Sequence, residues 1–169
     1  RSDGIVRLRE QISALSDTNV DCLITGETGS GKEVVARALH DFSNRKNKPF
    51  VAINCAAIPI DIIESELFGH EAGAFTGANK KRLGKLEHAQ GGTVFLDEIE
   101  SMPLNLQAKI LRAIEQRTIE PLGSNKTVKL DITFIAAAKD DLKQLSIEKL
   151  FRADLYYRLN VIKFHIPPL

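Results

Sequence analysis

The sequence has few cysteines, no excess of one charge and no long apolar run, and each absence excludes a class of protein. Its two cysteines, Cys22 and Cys55, lie inside apolar runs, which favours buried, reduced thiols over a disulfide. Basic and acidic residues number 23 and 22, and a formal net charge of +1 disfavours general nucleic-acid binding by this chain. No apolar stretch approaches the roughly 20 residues that cross a bilayer, and no signal peptide opens the chain.

The composition is that of a folded domain. Hydrophobic residues make up 43% of the chain, which excludes disorder, and 11 glycines without a repeat exclude collagen. A length of 169 residues fits one domain spanning 1–169. Because the chain starts without Met and ends on Pro167-Pro168-Leu169, we expect a fragment of a longer protein. The lack of a membrane-spanning run and the reduced cysteines lead us to expect a soluble, intracellular protein.

Hydrophobic periodicity alternates between short strands and helices. Strands are predicted over 22–25, 50–53, 93–96, 132–137 and 161–166. Helices are predicted around Ile5, Leu8, Ile12 and Leu15, and over 33–42, 59–68, 83–89, 105–116 and 155–159. Five strands separated by helices predict an α/β fold with a five-stranded parallel sheet sandwiched between helices. Ligands of such sheets bind at the carboxyl ends of the strands.

The first strand runs into a glycine-rich segment and then a helix. The segment is Gly26-Glu27-Thr28-Gly29-Ser30-Gly31-Lys32, the phosphate-binding loop pattern in its strand–loop–helix context. Its glycines let backbone N–H groups face a phosphate chain, and Lys32 can reach the terminal phosphates. The alternative is a glycine-rich turn without a ligand. Glu33 stands where the strict pattern has a Ser or Thr that ligates Mg²⁺, so metal binding must depend more on a second motif.

That second motif is the apolar strand Thr93-Val94-Phe95-Leu96, which ends in Asp97 and Glu98. Beside a phosphate-binding loop, one carboxylate can hold Mg²⁺ through water while the other polarises the attacking water. Asp97 is the metal candidate and Glu98 the candidate general base. An ordinary strand ending in an acidic turn is the alternative.

Two arginines, Arg152 and Arg158, lie six residues apart near the end of the chain. Phosphoryl transfer needs positive charge at the terminal phosphate, often from an arginine of a neighbouring subunit. The spacing alone favours surface arginines paired with Asp154 or Asp61.

The segment Gly73-Ala74-Phe75-Thr76-Gly77-Ala78 has small residues and paired glycines around one aromatic. This composition favours a mobile surface loop with Phe75 at its tip, available to a protein partner. The alternative is a loop that folds back and places Phe75 in the core. Composition leaves both readings open.

The chain resembles the central AAA+ ATPase domain of bacterial enhancer-binding proteins, the activators of sigma-54 RNA polymerase. The resemblance covers essentially the whole chain, and details such as Glu98-Ile99-Glu100 are most similar to regulators of dicarboxylate transport. Four blocks carry it: 26–33, 64–78, 91–98 and 151–159.

The resemblance implies a P-loop NTPase that binds ATP and Mg²⁺ between the subunits of a hexameric or heptameric ring. It implies that Arg152 and Arg158 reach a neighbour's nucleotide, and that hydrolysis moves the 73–78 loop against the sigma factor in the bacterial cytoplasm. Asn54 matches a switch residue that holds the glutamate equivalent to Glu98; an ordinary Asn capping a turn is the alternative.

Two features depart from that family. Ala138 stands where many members carry a sensor Thr, and a methyl group cannot hydrogen-bond phosphate or water; Lys139 is a possible substitute. The helical lid would follow Leu169, and the receiver and DNA-binding domains also lie outside this chain. We therefore expect the fragment alone to bind ATP weakly and to contact no DNA itself.

Two other functions remain as alternatives. An AAA+ machine acting on another protein, such as an unfoldase, would tend to present an aromatic pore loop without the pattern at 73–78. A nucleotide-regulated binding module with little turnover would have no need of Glu98 as a base for water.

Overall fold

The centre of the molecule is a five-stranded parallel sheet. The computed structural model describes residues 6–7, 9–11 and 20–168. The strands of this sheet are β1 (Cys22–Thr25), β2 (Phe50–Asn54), β3 (Thr93–Asp97), β6 (Thr133–Ala138) and β7 (Lys163–His165), while β4 (Thr118–Ile119) and β5 (Val128–Lys129) form a separate antiparallel hairpin. The five strands of the sheet stand in the spatial order β2-β3-β6-β1-β7.

Helices cover both faces of this sheet. They are α1 (Lys32–Asp41), α2 (Ile60–Phe68), α3 (Lys85–His88), α4 (Leu104–Gln116), α5 (Leu142–Ile147) and α6 (Ala153–Leu159), with a 3₁₀ turn at Ile99–Ser101. Across the ranges that the structure describes, none of the helices has the length and apolar character to cross a bilayer.

Alternate residues of each central strand pack into two separate cores. In β1, Leu23 packs with residues from α2, α4 and α6, whereas Cys22 and Ile24 pack with α1 on the other face. All three side chains are buried. Since both faces of a parallel sheet are covered, its strands are continuous apolar runs, which is the pattern that the sequence shows.

The predicted α/β architecture is confirmed, with shifts at the ends of elements. The strands predicted over 22–25, 50–53 and 93–96 are present, the second and third one residue longer. The last strand is shorter than predicted and is limited to Lys163–His165. A helix is predicted around Ile5, Leu8, Ile12 and Leu15; these four residues lie outside the described ranges, whereas the described residues 6–7 and 9–11 are helical.

The helix predicted over 83–89 is wrong in its first part, because only Lys85–His88 is helical. The chain before it is extended: the backbones of His70 and Arg82 exchange two hydrogen bonds of 2.9 Å. Gly84 lies so close to Gly69 that a side chain there would overlap the Gly69 backbone. Contact with a distant segment thus overrides local helical periodicity.

Two elements are absent from the sequence prediction. One is the β4–β5 hairpin, whose strands of two residues are too short to produce an alternating pattern. The other is α5, although its start carries a recognisable signal: the Asp141 carboxylate accepts hydrogen bonds from the backbone N–H groups of Lys143 (3.0 Å) and Gln144 (3.3 Å).

Both cysteines are buried and free, as predicted, and they lie in the two different cores. Burial raises the pKa of each thiol to about 12, with a smaller contribution from Asp21 at Cys22 and from Asp97 at Cys55. At pH 8 the reactive thiolate is therefore far scarcer than in an unfolded chain, where the thiol pKa is about 8.5.

We accordingly expect a disulfide reagent such as Ellman's reagent to label the native chain at pH 8 at least about 100-fold more slowly than the urea-unfolded chain. Absorbance of the released thiolate measures both rates. Equal rates in the two states would contradict the burial of these thiols.

Candidate active site

Residues 26–31 connect β1 to α1 in a tight loop. Gly29 and Gly31 have φ angles of +80° and +92°, in the left-handed region that costs other residues about 1–2 kcal/mol. A side chain at either position would meet no atom within 4 Å, so backbone conformation and not space requires glycine. Gly31 directly precedes α1, and the free N–H groups of the helix start therefore open onto the loop.

Lys32 is buried and folds back over this loop. Its ammonium donates hydrogen bonds of 2.9 Å to the carbonyl oxygens of Gly26 and Glu27. An ammonium has three N–H donors, so one is left for an anion. The hydroxyl oxygen of Ser30 is also buried, and no partner for it occurs among the described residues. These donors suit a polyphosphate.

Asp97 and Glu98 follow at the end of β3, at the same carboxyl edge of the sheet. Burial raises the pKa of Asp97, although a hydrogen bond of 2.9 Å from the Glu98 N–H and the nearby Lys32 ammonium partly offset that effect. Glu98 has φ +50°, a left-handed conformation that is uncommon for a residue other than glycine. Such conformations persist where the surroundings impose them, often at functional sites.

The carboxylates fit a hydrated Mg²⁺ that takes its remaining ligands from phosphate and water. Hydrogen bonding to Glu98 engages one oxygen of Asp97 and leaves the other free for a metal. Glu33 is half exposed and pairs with Arg37 at 3.2 Å, so it is directed away from such a role. Within residues 20–168 and the short described stretches before them, no three His, Cys, Asp or Glu side chains are arranged as a metal site.

Asn54 ends β2 directly opposite Asp97 in the strand register. Its side-chain oxygen accepts a hydrogen bond of 2.9 Å from the Ala56 N–H, which is the turn-capping role considered as the alternative. Its function as a switch toward Glu98 stays a prediction.

Sequence reasoning missed Glu100 as a site residue. One of its carboxylate oxygens accepts hydrogen bonds from the backbone N–H groups of Lys139 (3.0 Å) and Asp140 (3.1 Å), just after β6. The Lys139 ammonium lies 3.9 Å from the Glu98 carboxylate. Nothing local in the sequence links these positions, because they meet only when β3 and β6 pair.

Arg152 and Arg158 lie at the two ends of α6. Arg152 pairs with Asp154 through two hydrogen bonds of 3.0 and 2.9 Å, and this contact raises the pKa of the Arg152 guanidinium. Arg158 lies 3.8 Å from Asp21, at the amino end of β1 and thus at the edge of the sheet opposite the phosphate-binding loop. Of the two predicted partners, Asp154 is confirmed, and Asp61 is replaced by Asp21.

The 73–78 loop combines the two predicted placements of Phe75. The Phe75 side chain is 46% exposed, yet its ring packs edge-on against buried His70 with centroids 5.0 Å apart. Thr76 is exposed beside it, and the Gly73 N–H donates to the Ala78 carbonyl oxygen (2.7 Å) to close the loop. The loop tip is therefore accessible and also anchored.

The model of the family described as the sigma-54 interaction domain matches residues 1–165. The chain belongs to the sigma-54 interaction domain family. It is 61% identical over 169 residues to the C4-dicarboxylate transport transcriptional regulatory protein DctD of Pseudomonas aeruginosa, covering 100% of this chain and 37% of that protein. It is 51% identical over 169 residues to the DNA-binding transcriptional regulator NtrC of Rhizobium meliloti, covering 100% of this chain and 35% of that one.

Solved structures share the fold of this sigma-54 interaction domain. NtrX from Brucella abortus in complex with ATP matches with a TM-score of 0.91 and 40% identity, over 99% of this chain and 38% of that one. The P-loop NTPase domain of an E. coli sigma-54 transport activator matches with a TM-score of 0.67 at 22% identity, over 100% of this chain and 98% of that one. At this identity, the match shows only that the two chains share a fold.

Family membership confirms two predictions for this sigma-54 interaction domain: it has the AAA+ P-loop fold, and it belongs to the ATPases. The chain spans little more than a third of the curated relatives it matches. Roles of individual residues stay predictions.

Proposed function

We propose that this sigma-54 interaction domain is the ATP-hydrolysing part of a longer, cytoplasmic bacterial activator that uses Mg²⁺. Hydrolysis in a ring of six or seven copies drives the 73–78 loop to remodel sigma-54 RNA polymerase for open-complex formation, while DNA is bound by other domains. The observation that carries the proposal is the meeting of the Lys32 loop with Asp97 and Glu98 at one edge of the sheet.

In this proposal each group has a part in hydrolysis. Backbone N–H groups of the loop and the Lys32 ammonium bind the phosphates, and Glu98 accepts a proton from the water that attacks the terminal phosphorus. The bond from that phosphorus to the bridging oxygen then breaks, and ADP and phosphate leave. Bound Mg²⁺ supplies positive charge to the phosphate oxygens, and Asp97 is the residue that would hold it.

The arginines support a ring. Arg158 pairs with Asp21 at the amino ends of the strands, whereas the phosphate-binding loop of its own chain lies at their carboxyl ends. We therefore expect Arg158 to contact the nucleotide of a neighbouring subunit and not that of its own chain. Arg152 is solvent-exposed, and its ion pair with Asp154 is of the kind that contributes little to stability, so a neighbour's phosphate can replace it.

A continuous path connects the hydrolysis site to the 73–78 loop. The chain leaves β2 at Asn54, opposite Asp97, and enters α2, which ends at Phe68 and is followed by Gly69, His70 and the loop. On the other side, the Leu122 backbone of the β4–β5 hairpin binds the Gly69 carbonyl oxygen (3.0 Å) and the Glu71 N–H (2.9 Å). Movement at the strand ends can thus reach the loop through α2.

The Thr76→Ala substitution tests the assignment of the loop. In the full-length protein we expect ATP turnover within about 3-fold of the parent, because Thr76 is exposed and belongs neither to the Lys32 loop nor to the end of β3. Capture of sigma-54 in the presence of a transition-state analogue such as ADP–aluminium fluoride should fall at least about 10-fold, since contact residues at the centre of an interface dominate binding.

Asn47→Ala, which shortens an exposed side chain before β2, is the matched control and should leave capture unchanged. Parental capture by Thr76→Ala would exclude the 73–78 loop as the sigma-54 contact. Retained turnover in that variant would leave the ATPase assignment intact.

A further inference from the structure

We propose that Glu100 and Lys139 act together as positioning residues for Glu98. The Glu100 carboxylate fixes the backbone that follows β6, and the Lys139 ammonium, placed by that contact, orients the carboxylate of Glu98. The inference rests on the proposed ATP hydrolysis, because it concerns how the base for water is held.

The first support is the double hydrogen bond of Glu100. This residue lies in the 3₁₀ turn after β3, yet its carboxylate reaches two consecutive N–H groups after β6, those of Lys139 and Asp140. Hydrogen bonds to an ionised carboxylate are about twice as strong as neutral ones. One side chain therefore joins the turns at the ends of two neighbouring strands, and it does so two residues from Glu98.

The second support is the placement of the Lys139 ammonium at 3.9 Å from the Glu98 carboxylate. Over the residues that the structure describes, this is the one ion pair that Glu98 makes. The Glu98 side chain is only 20% exposed, whereas that of Lys139 is 44% exposed, so solvent screens the attraction in part. The pair is therefore better suited to orienting the carboxylate than to stabilising the fold.

The third support is that the same turn touches the phosphate-binding loop. The Gly26 N–H donates to the Ala138 carbonyl oxygen (3.3 Å), and Lys139 lines a cavity of about 270 Å³ together with Thr25, Gly26 and Glu27. Ala138 is buried and its methyl group offers no donor. Lys139 is thus the first cationic side chain beyond β6, between the loop that binds phosphate and the carboxylate that activates water.

A positioned base needs a fixed direction as well as a suitable location. Misplacement of a reacting group by about 1 Å can cost about 100-fold in rate, and binding need not change. Glu98 is held from its backbone side by the left-handed turn and by the Asp97 contact. The Lys139 ammonium adds a constraint at the carboxylate end.

We expect Lys139→Met in the full-length protein to lower kcat about 10-fold to 100-fold. The KM for ATP and the Kd of a non-hydrolysable ATP analogue should change less than about 3-fold, because the phosphates are bound by the Lys32 loop. Lys139→Arg keeps the charge and should recover most of the rate. Lys143→Met, which replaces an exposed lysine on neighbouring α5, is the matched control and should have the kcat of the parent.

Glu100 is tested by comparing two substitutions. Glu100→Gln keeps an oxygen that can accept from both N–H groups and should stay within about 5-fold of the parental kcat. Glu100→Ala removes the acceptor and should lower kcat by the same factor as Lys139→Met. The double variant of Glu100→Ala and Lys139→Met should be no slower than either single one, because both changes interrupt the same contact to Glu98.

Parental turnover by Lys139→Met, or a double variant whose loss is the product of the single losses, would overturn the inference. An equal loss in Lys139→Arg and Lys139→Met would do the same, since orientation by charge requires rescue. If Glu100→Ala does not fold, the kcat values of Glu100→Gln and the two Lys139 variants still test whether Lys139 orients Glu98. A parent protein without ATPase activity would instead refute the proposed function.

Discussion

Lys32→Ala is expected to abolish ATP binding, with affinity at least about 100-fold weaker than that of the parent. The substitution removes the ammonium that we propose binds the phosphates, and it also removes the hydrogen bonds of that ammonium to the Gly26 and Glu27 carbonyl oxygens. Loss of one charge-assisted contact costs about 1.5–3 kcal/mol, and a loop that is no longer held by its lysine adds to this loss. Titration of the full-length protein with a fluorescent ATP analogue measures the effect.

Lys46→Ala removes an exposed lysine from the loop before β2 and should bind the analogue like the parent. A thermal melt shows whether Lys32→Ala is folded under the conditions of the titration. Parental affinity in a folded Lys32→Ala variant would refute the assignment of the phosphate-binding loop.

Glu98→Gln is expected to separate binding from turnover. Glutamine keeps the size of the side chain but cannot accept a proton from water, so kcat should fall about 100-fold to 10,000-fold. Binding of ATP should stay within about 3-fold, because Lys32 and the loop N–H groups are untouched. Phosphate release under steady-state conditions and analogue titration measure the two effects.

Glu148→Gln changes an exposed glutamate just after α5 and serves as the matched control. Turnover at the parental rate in Glu98→Gln would mean that another group activates the water. Joint loss of binding and turnover would instead assign Glu98 to the phosphate site.

The features that the sequence predicts well depend on short stretches of chain. The phosphate-binding loop and the β3 carboxylates are each contiguous, and their strands are continuous apolar runs. The order of the strands then follows from the parallel architecture only in part. The parallel architecture places Asp97 and the loop at one edge of the sheet, but it does not specify which strand will lie next to β3.

The features that the sequence does not predict depend on which segments become neighbours. Glu100 meets Lys139 because β3 pairs with β6, and Arg158 meets Asp21 because α6 and β1 share one core. The half-exposed position of Phe75 likewise depends on a distant contact, since His70 is held by Ser65 at 2.6 Å and by Arg82. Composition at 73–78 contains none of this information.

The β4–β5 hairpin follows α4 with only Arg117 between them, so helix and hairpin form one continuous arm. At 1.5 Å per residue the 13-residue helix is about 20 Å long, and a tilt of about 3° where it starts displaces its far end by about 1 Å. Beyond that end, Leu122 of the hairpin is hydrogen-bonded to Gly69 and Glu71 at the flank of the 73–78 loop. In the proposed cycle, a small shift at the start of α4 would therefore be larger where the hairpin meets the flank of the 73–78 loop, next to Phe75.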